Sequence, residues 1–192
     1  MIAELKRLSP VQLPDATWSA LEKAYATPPR AYHSLEHVLE VARLWSNEQW
    51  QDPEATFLAV LFHDAVYDAG RNDNEIRSAV LCEQLCGPNP RVTRLIQLTA
   101  LHGKLKPEDV DAEAARFLDC DTAIVGASPE RFARYEQQIA QEYVPLVGEA
   151  PYRGGRRRFL QRLLNAPRIF LSDGFHARLD AQARENLRTA LK

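Results

Sequence analysis

The sequence predicts an all-α protein, and two observations carry that prediction. Helix starts are marked by a capping residue followed by proline in QDPEA, PNPRV and ASPERF, where the caps are Asp52, Asn89 and Ser128. No segment alternates apolar and polar residues with a period of two, and β-branched residues do not cluster as they do in strands. With 192 residues, 45% of them hydrophobic and 26% charged, the chain is expected to bury a substantial core.

Nine helices are predicted, and several carry their own start and stop signals. The third begins at the Asp52 cap and is apolar around its whole circumference, which is typical of a central, buried helix. The fourth ends before Gly87, and the fifth runs from the Asn89 cap to Gly103. The nine predicted ranges are 15–26, 34–49, 53–67, 74–86, 90–102, 111–125, 129–143, 156–165 and 179–191.

The C-terminal third shows a core stripe and one break. Phe132, Tyr135 and Ile139 follow each other at helical spacing, which predicts a core-facing stripe with no further function. The segment GEAPYRGGRRR at 148–158 is predicted to be a boundary or a mobile loop. No internal repeat or persuasive linker divides the chain, so a single domain over 1–192 is predicted.

Composition argues against several classes of protein. The stretch MIAELKRLSP has no basic segment followed by an apolar one, and no apolar run approaches the ~20 residues of a membrane span, so a soluble, cytoplasmic protein is expected. Cys82, Cys86 and Cys120 are predicted to be thiols rather than disulfides. Cys82 and Cys86 lie four apart and could share a metal, but no second ligand pair is near them in sequence, so core packing is the preferred interpretation.

Charge is unevenly distributed along the chain, although the net charge is −2. Residues 151–192 hold ten basic and three acidic side chains, whereas residues 1–150 hold fourteen and twenty-three. The cationic end favours an anionic ligand, or it packs against the acidic part of the protein. Arg156 and Arg153 are predicted substrate contacts, because guanidinium groups suit phosphate oxygens, with a solvated helix face as the alternative. Nucleic acid is disfavoured as a partner, because no aromatic residues are interleaved with the arginines.

The run TFLAVLFHDAVYD places His63 and Asp64 side by side in an apolar helix that is expected to be buried. Moving an ionised carboxylate from water into an apolar surrounding costs several kcal/mol unless a partner compensates. The fold must therefore supply a partner for this pair.

Three further segments could supply it. His33 and His37 in YHSLEHV lie four residues apart, so they share a face if one helix includes both. His102 lies in TALHG, and Asp121 in FLDCD interrupts an apolar segment together with Asp119, which could instead hold a ligand histidine. Imidazole and carboxylate together suit a divalent transition metal such as Zn, Mn, Fe, Co or Ni, and the ion would also neutralise the buried carboxylates.

In its order and spacing, the H…HD…D pattern resembles the HD superfamily of metal-dependent phosphohydrolases. These are all-α proteins in which a His, a His-Asp pair and a distal Asp converge on one or two metal ions. The resemblance implies an HD-domain helical bundle with its metal-binding core at about residues 31–126 and additional C-terminal helices over about 127–192. YHSLEH, FHDAVYD, NEIRSA, FLDCD and ARENL are similar, more narrowly, to a bacterial subgroup of predicted HD phosphohydrolases. The implied metal ligands are His37, His63, Asp64 and Asp121.

Two departures from the family limit what the resemblance implies. Tyr67 stands where some nucleotidase members have a glutamate, and the Gly-Tyr-Pro element of the cyclic-dinucleotide phosphodiesterases has no counterpart. Asp68, one helical turn beyond the His-Asp pair, is therefore a candidate general acid or base, with a loop cap as the alternative. Glu75 matches a subgroup position and either acts in catalysis or favours a helix start. His33 and His102 could bind a second ion, contact phosphate or orient a ligand.

The resulting expectation is a hydrolase, a phosphatase or phosphodiesterase that uses a metal-activated water on a small phosphorylated substrate such as a nucleotide. A bound ion lowers the pKa of water from about 15.7 towards about 7. Two alternatives stay open: an iron-dependent oxygenase of the HD type, and a non-catalytic sensor that binds a nucleotide. The sequence leaves open which metal binds, whether one ion or two, and whether a homo-oligomer forms.

Overall fold

The computed structural model describes residues 1–28 and 30–192, and the regular structure within these ranges is helical, which confirms the predicted all-α class. Short 3₁₀ turns lie at 99–101, 107–109 and 123–126. The α-helices are α1 Ile2–Leu8, α2 Asp15–Tyr25, α3 Leu35–Trp45, α4 Pro53–Phe62, α5 Asn74–Cys86, α6 Pro90–Leu98, α7 Ala112–Thr122, α8 Pro129–Val147, α9 Glu149–Asn165 and α10 Asp173–Ala190.

The chain divides into two compact units, Met1–Ala100 and Leu101–Lys192. The first contains α1 to α6 and the second contains α7 to α10. The single domain, its core at 31–126 and its extension at 127–192 stay predictions.

Helix α4 is the centre of the first unit. Every residue from Ala55 to Phe62 is buried, and α4 packs against α3, α5 and α6. The Asp52 side chain accepts a hydrogen bond from the Ala55 N–H at 2.9 Å, so the predicted cap is confirmed. Full burial of each large apolar side chain contributes about 1.5–3 kcal/mol, so α4 provides much of the core on which these three helices pack. The predicted central helix is therefore confirmed.

The second unit is organised around α10 and the 3₁₀ turn that follows α7. A Cβ on Gly126 in this turn would lie 2.8 Å from the Leu179 Cβ, so the close approach of α10 requires glycine. Asn186 of α10 donates from Nδ2 to the carbonyls of Val125 and Ala127, both at 2.9 Å. The turn and the helix are thus fixed together by packing and by hydrogen bonds.

Other local predictions in the same two units are confirmed. Asn89 and Ser128 cap α6 and α8 through their side-chain oxygens. Gly87 ends α5 with a φ of +86°. The predicted stripe on α8 is buried, and it consists of Phe132, Tyr135 and Ile139. All three cysteines are thiols, as predicted.

Several predicted helix bounds are wrong: α1 was not predicted, α3 ends at Trp45 rather than at residue 49, and α10 begins at Asp173 rather than at residue 179. Two further differences concern the candidate functional residues. Helix α4 ends at Phe62 rather than at residue 67, so His63 and Asp64 lie in the turn that follows it. The segment 148–158 is not a loop, because α9 begins at Glu149 and runs through both glycines of the GG pair. The break falls at Gly148, whose φ of +82° separates α8 from α9.

None of the helices among the described residues has the length and apolar character needed to cross a membrane.

Candidate metal centre

Helix α3 and the turn that follows α4 in the first unit carry the three side chains that form the candidate metal centre. His37 lies in the first turn of α3 with its side chain 3% exposed, and the Tyr32 ring packs on its imidazole at 4.6 Å between centroids. His63 follows the last residue of α4 and is 1% exposed, and Asp64 is next in the turn at 16% exposure. The elements therefore bring two buried imidazoles to a carboxylate that keeps some access to solvent.

The donor atoms of this group form a nearly equilateral triangle. His37 Nε2 lies 3.1 Å from His63 Nε2 and 3.6 Å from Asp64 Oδ2. His63 Nε2 lies 3.1 Å from the same Asp64 oxygen. A four-coordinate ion with bonds of about 2.0–2.1 Å holds its ligand atoms about 3.3 Å apart. The His37, His63 and Asp64 group can hold a metal ion at these spacings.

The tautomer of His63 follows from its second nitrogen. Nδ1 lies 3.0 Å from the Val60 carbonyl oxygen, which can only accept, so Nδ1 carries the hydrogen. In the neutral ring, Nε2 then presents a lone pair towards the Asp64 carboxylate, which is also an acceptor. His63 Nε2 and Asp64 Oδ2 lie 3.1 Å apart, and a metal ion or a proton would bind to both of these acceptors. This hydrogen bond to a carbonyl is the kind of contact that orients metal-binding histidines in proteins.

Side chains from α5 hold the turn that carries His63 and Asp64. The Ser78 hydroxyl accepts from the Val66 N–H at 3.0 Å and donates to the Val66 carbonyl at 3.1 Å. Asn74 does the same for Asp68 through Oδ1 and Nδ2, both at 3.0 Å. Both residues belong to the NEIRSA segment, which is part of the family resemblance, but these two roles were not predicted from it. The hydrogen-bonding residues at its first and fifth positions were the available signal.

His33 lies just outside α3, which begins at Leu35, so it does not share a helix face with His37. Its ring stacks on Tyr67 with centroids 3.9 Å apart and lies 6.2 Å from the His37 ring. His33 therefore lies beside the donor group of His37, His63 and Asp64 and is not one of its members.

The two acidic catalytic candidates of this unit occupy different surroundings. Asp68 is 55% exposed and pairs with Arg77. Because α4 has already ended, the argument that Asp68 lies one helical turn beyond Asp64 is wrong. Glu75 is the second residue of α5 and is half-buried, where a carboxylate favours the helix start. A catalytic role for either residue stays a prediction.

His102 and Asp121 meet in the second unit. His102 Nε2 lies 2.7 Å from Asp121 Oδ2, and its Nδ1 lies 3.1 Å from the Thr122 hydroxyl. A carboxylate only accepts, so Nε2 donates and Nδ1 accepts from Thr122. His102 thus orients the Asp121 carboxylate and has its remaining lone pair engaged. The cavity beside His102 is about 20 Å³, enough for about one water and too small for a phosphate.

Asp119 has a structural task in the same unit. Its carboxylate accepts from the backbone N–H groups of Leu171 and Ser172 and from the Ser172 hydroxyl, at 2.7, 2.7 and 2.6 Å. Burial raises the pKa of the Asp119 carboxyl above its ordinary value in spite of these donors. Asp119 therefore holds the chain at the start of α10, in place of the predicted role of holding a ligand histidine.

The two arginines predicted to contact substrate lie on α9. Arg156 is largely buried, pairs with Glu136, and lies over the rings of Tyr135 and Phe159 at 4.9 Å each. Arg153 is exposed and pairs with Glu149 at 2.6 Å. Arg156 directly follows the GG pair in the segment that was predicted to be a boundary or a mobile loop, whereas both glycines are helical.

No family model, no curated protein and no solved structure matches this chain. The resemblance to the HD superfamily therefore stays an expectation from the residues themselves. The donor triangle in the first unit stands independently of it, on distances and tautomers.

Proposed function

We propose that this protein is a metal-dependent phosphohydrolase that acts on a small phosphorylated compound such as a nucleotide. The supporting observation is the convergence of His37 Nε2, His63 Nε2 and Asp64 Oδ2 within 3.6 Å of one another. The H…HD…D order of the sequence points to the same chemistry. A cytoplasmic location fits this proposal and the thiol cysteines.

A divalent transition metal, such as Zn, Mn, Fe, Co or Ni, fits the mixed nitrogen and oxygen donors. When bound, such an ion polarises a phosphoryl oxygen and lowers the pKa of water to about 7. The chain's own contribution is preorganisation. The Val60 carbonyl keeps the hydrogen of His63 on Nδ1, and burial of both imidazoles keeps competing water from their Nε2 atoms.

Asp121 is the proposed fourth ligand, on the resemblance alone. Its hydrogen bond from His102 fits that role, because ligating carboxylates are usually held by a further donor. His33 is the proposed contact to the phosphate group, since its half-buried ring lies 6.2 Å from the His37 ring. A second ion, if present, would need donors beyond the three in the first unit.

Metal content is the first test. We expect His37→Ala and Asp64→Ala to lose most of the metal that wild type retains after purification. Matched controls are His176→Ala and Asp73→Ala, which remove the same residue types from an α10 ion pair and a surface ion pair. Equal metal content in wild type and in both site variants would reject the assignment. A metal-to-protein ratio near two would favour a second ion.

Activity is the second test. A panel of phosphatase and phosphodiesterase substrates is assayed with each divalent metal, with Asp64→Ala as the blank. Phosphate release that requires His37 and Asp64 supports the proposal. Oxygen consumption with iron and no phosphate release would instead identify the oxygenase. Tight nucleotide binding without turnover, at full metal occupancy, would identify the sensor.

A further inference from the structure

Arg30 joins the two chain segments that carry the donor group. Its Nη1 donates to the His33 carbonyl at 2.8 Å and to the Asp64 carbonyl at 2.7 Å. Its Nη2 donates to the Ala65 carbonyl at 3.0 Å. One side chain therefore binds the segment leading into α3, which carries His37, and the turn after α4, which carries Asp64.

Aromatic rings hold the guanidinium in place. The Arg30 Cζ lies 5.0 Å from the centroid of Tyr25 and 5.7 Å from that of Tyr67. Tyr67 in turn stacks on His33. A cation over an aromatic face is attracted by the ring, and planar guanidinium packs on such faces better than ammonium does. The fork of Arg30 is thus fixed in direction before any ligand arrives.

Two of the carbonyls that Arg30 binds, those of Asp64 and Ala65, lie in the turn that follows the last residue of α4. A helix that continued past Phe62 would give the Asp64 carbonyl to the Asp68 N–H, but that N–H bonds to Asn74 instead. Asp64 thus has its carbonyl bound by Arg30 while its Oδ2 is directed at the two imidazoles. Main chain and side chain of the same residue are fixed by separate partners.

We propose that Arg30 is the positioning residue of the metal centre: by binding the carbonyls of His33, Asp64 and Ala65 at once, it sets the spacing between the imidazole of His37 and the His63–Asp64 pair. This inference rests on the proposed metal binding. Residues that orient metal ligands from outside the coordination sphere typically change metal affinity 10- to 100-fold when they are replaced.

The test is a metal titration of the full chain. Arg30→Lys keeps the charge and the aliphatic stem but loses the fork, and Arg30→Gln keeps a short polar end. The control is Arg184→Lys, because Arg184 also binds three carbonyls, those of Leu164, Ala166 and Pro167, in the second unit. Co²⁺ affinity is measured by its visible absorption and Zn²⁺ affinity by competition. The folded fraction of each metal-free variant is measured alongside.

We expect both Arg30 variants to bind Co²⁺ and Zn²⁺ 10- to 100-fold more weakly than wild type, with an altered Co²⁺ spectrum, while Arg184→Lys stays within threefold. If Arg30→Lys retained most of the wild-type metal affinity, the guanidinium fork would not be what positions the ligands. Unchanged affinity in both Arg30 variants overturns the inference and leaves the metal site intact. An affinity loss that merely follows the folded fraction also overturns it. If wild type binds neither metal, the proposed function and the inference fail together.

Discussion

The hydroxyl of Tyr25 gives a sharp test of how the candidate site is supported. Helix α4 ends at Phe62, and the Ala65 N–H, which would reach Leu61 in a longer helix, bonds to the Phe62 carbonyl at 3.0 Å. The Leu61 carbonyl is buried, and Tyr25 donates its hydroxyl to it at 2.9 Å. Tyr25→Phe removes one oxygen atom and leaves the rest of the ring in place.

The expected cost follows from burial. Leu61 and Tyr25 are 1% and 3% exposed, so water cannot replace the lost donor. A buried acceptor without a partner costs about 1–3 kcal/mol, and we expect Tyr25→Phe to lower the free energy of unfolding by about 2 kcal/mol. With a urea slope of about 2 kcal/mol per M, the midpoint falls by about 1 M.

Tryptophan fluorescence suits this assay, because Trp18, Trp45 and Trp50 all lie in the first unit. Urea denaturation followed by this signal reports the unit that contains the substitution. The matched control is Tyr152→Phe in α9, a half-buried tyrosine of the second unit, which should leave the fluorescence transition within about 0.5 kcal/mol of wild type. A Tyr25→Phe midpoint equal to that of the control would refute the role of the hydroxyl.

Three further outcomes are expected. Asp52→Ala removes the side-chain bond to the Ala55 N–H and should destabilise the first unit by about 1 kcal/mol in the same fluorescence assay, with Asp52→Asn retaining most of the stability. Burial raises the pKa of Asp119, so the folded chain holds this proton more tightly than the unfolded chain does. The contribution of Asp119 to stability is then fully present below about pH 3.8, the ordinary pKa of the carboxyl, and declines as the pH rises through the raised pKa. The stability advantage of wild type over Asp119→Asn, from circular dichroism in urea, should therefore shrink from pH 4 to pH 7; a constant difference would contradict this. Chelation should lower the melting temperature of metal-loaded wild type and leave that of His63→Ala unchanged. If the ion was present at 100 times its Kd, its removal lowers the free energy of unfolding by about 2.7 kcal/mol.

Local signals in the sequence were sufficient for much of the fold. Asp52, Asn89 and Ser128 act as caps because each effect is confined to one helical turn. The start of α9 was missed because Gly154 and Gly155 each cost about 1 kcal/mol relative to alanine in a helix. Long-range contacts compensate for this cost, among them the ion pair of Arg156 with Glu136 on α8. Such contacts cannot be read from a local pattern.

The candidate site was predictable to the extent that its residues are chemically conspicuous. A His-Asp pair in an apolar run requires a partner, and His37 supplies one. The residues that hold the site in place were not predicted. Tyr25 and Arg30 donate to backbone carbonyls, which every residue has, so the spacing of the candidate ligands in the sequence does not indicate them. Asp121 stays a prediction that comes from the resemblance.

Tyr25, Arg30 and Asn74 act together, because each binds a backbone group at or just after the end of α4. No glycine or proline lies between Phe62 and Asp68, so nothing in the local sequence stops the helix. The helix ends because its next backbone partners are exchanged for side chains: the Leu61 carbonyl goes to Tyr25, the Asp64 carbonyl to Arg30, and the Asp68 N–H to Asn74. Each exchange satisfies a group that a continued helix would have satisfied internally, so the turn costs little in hydrogen bonds. Replacing any one of the three side chains leaves one backbone group without that partner, and it thereby weakens the turn on which the position of the Asp64 carboxylate depends.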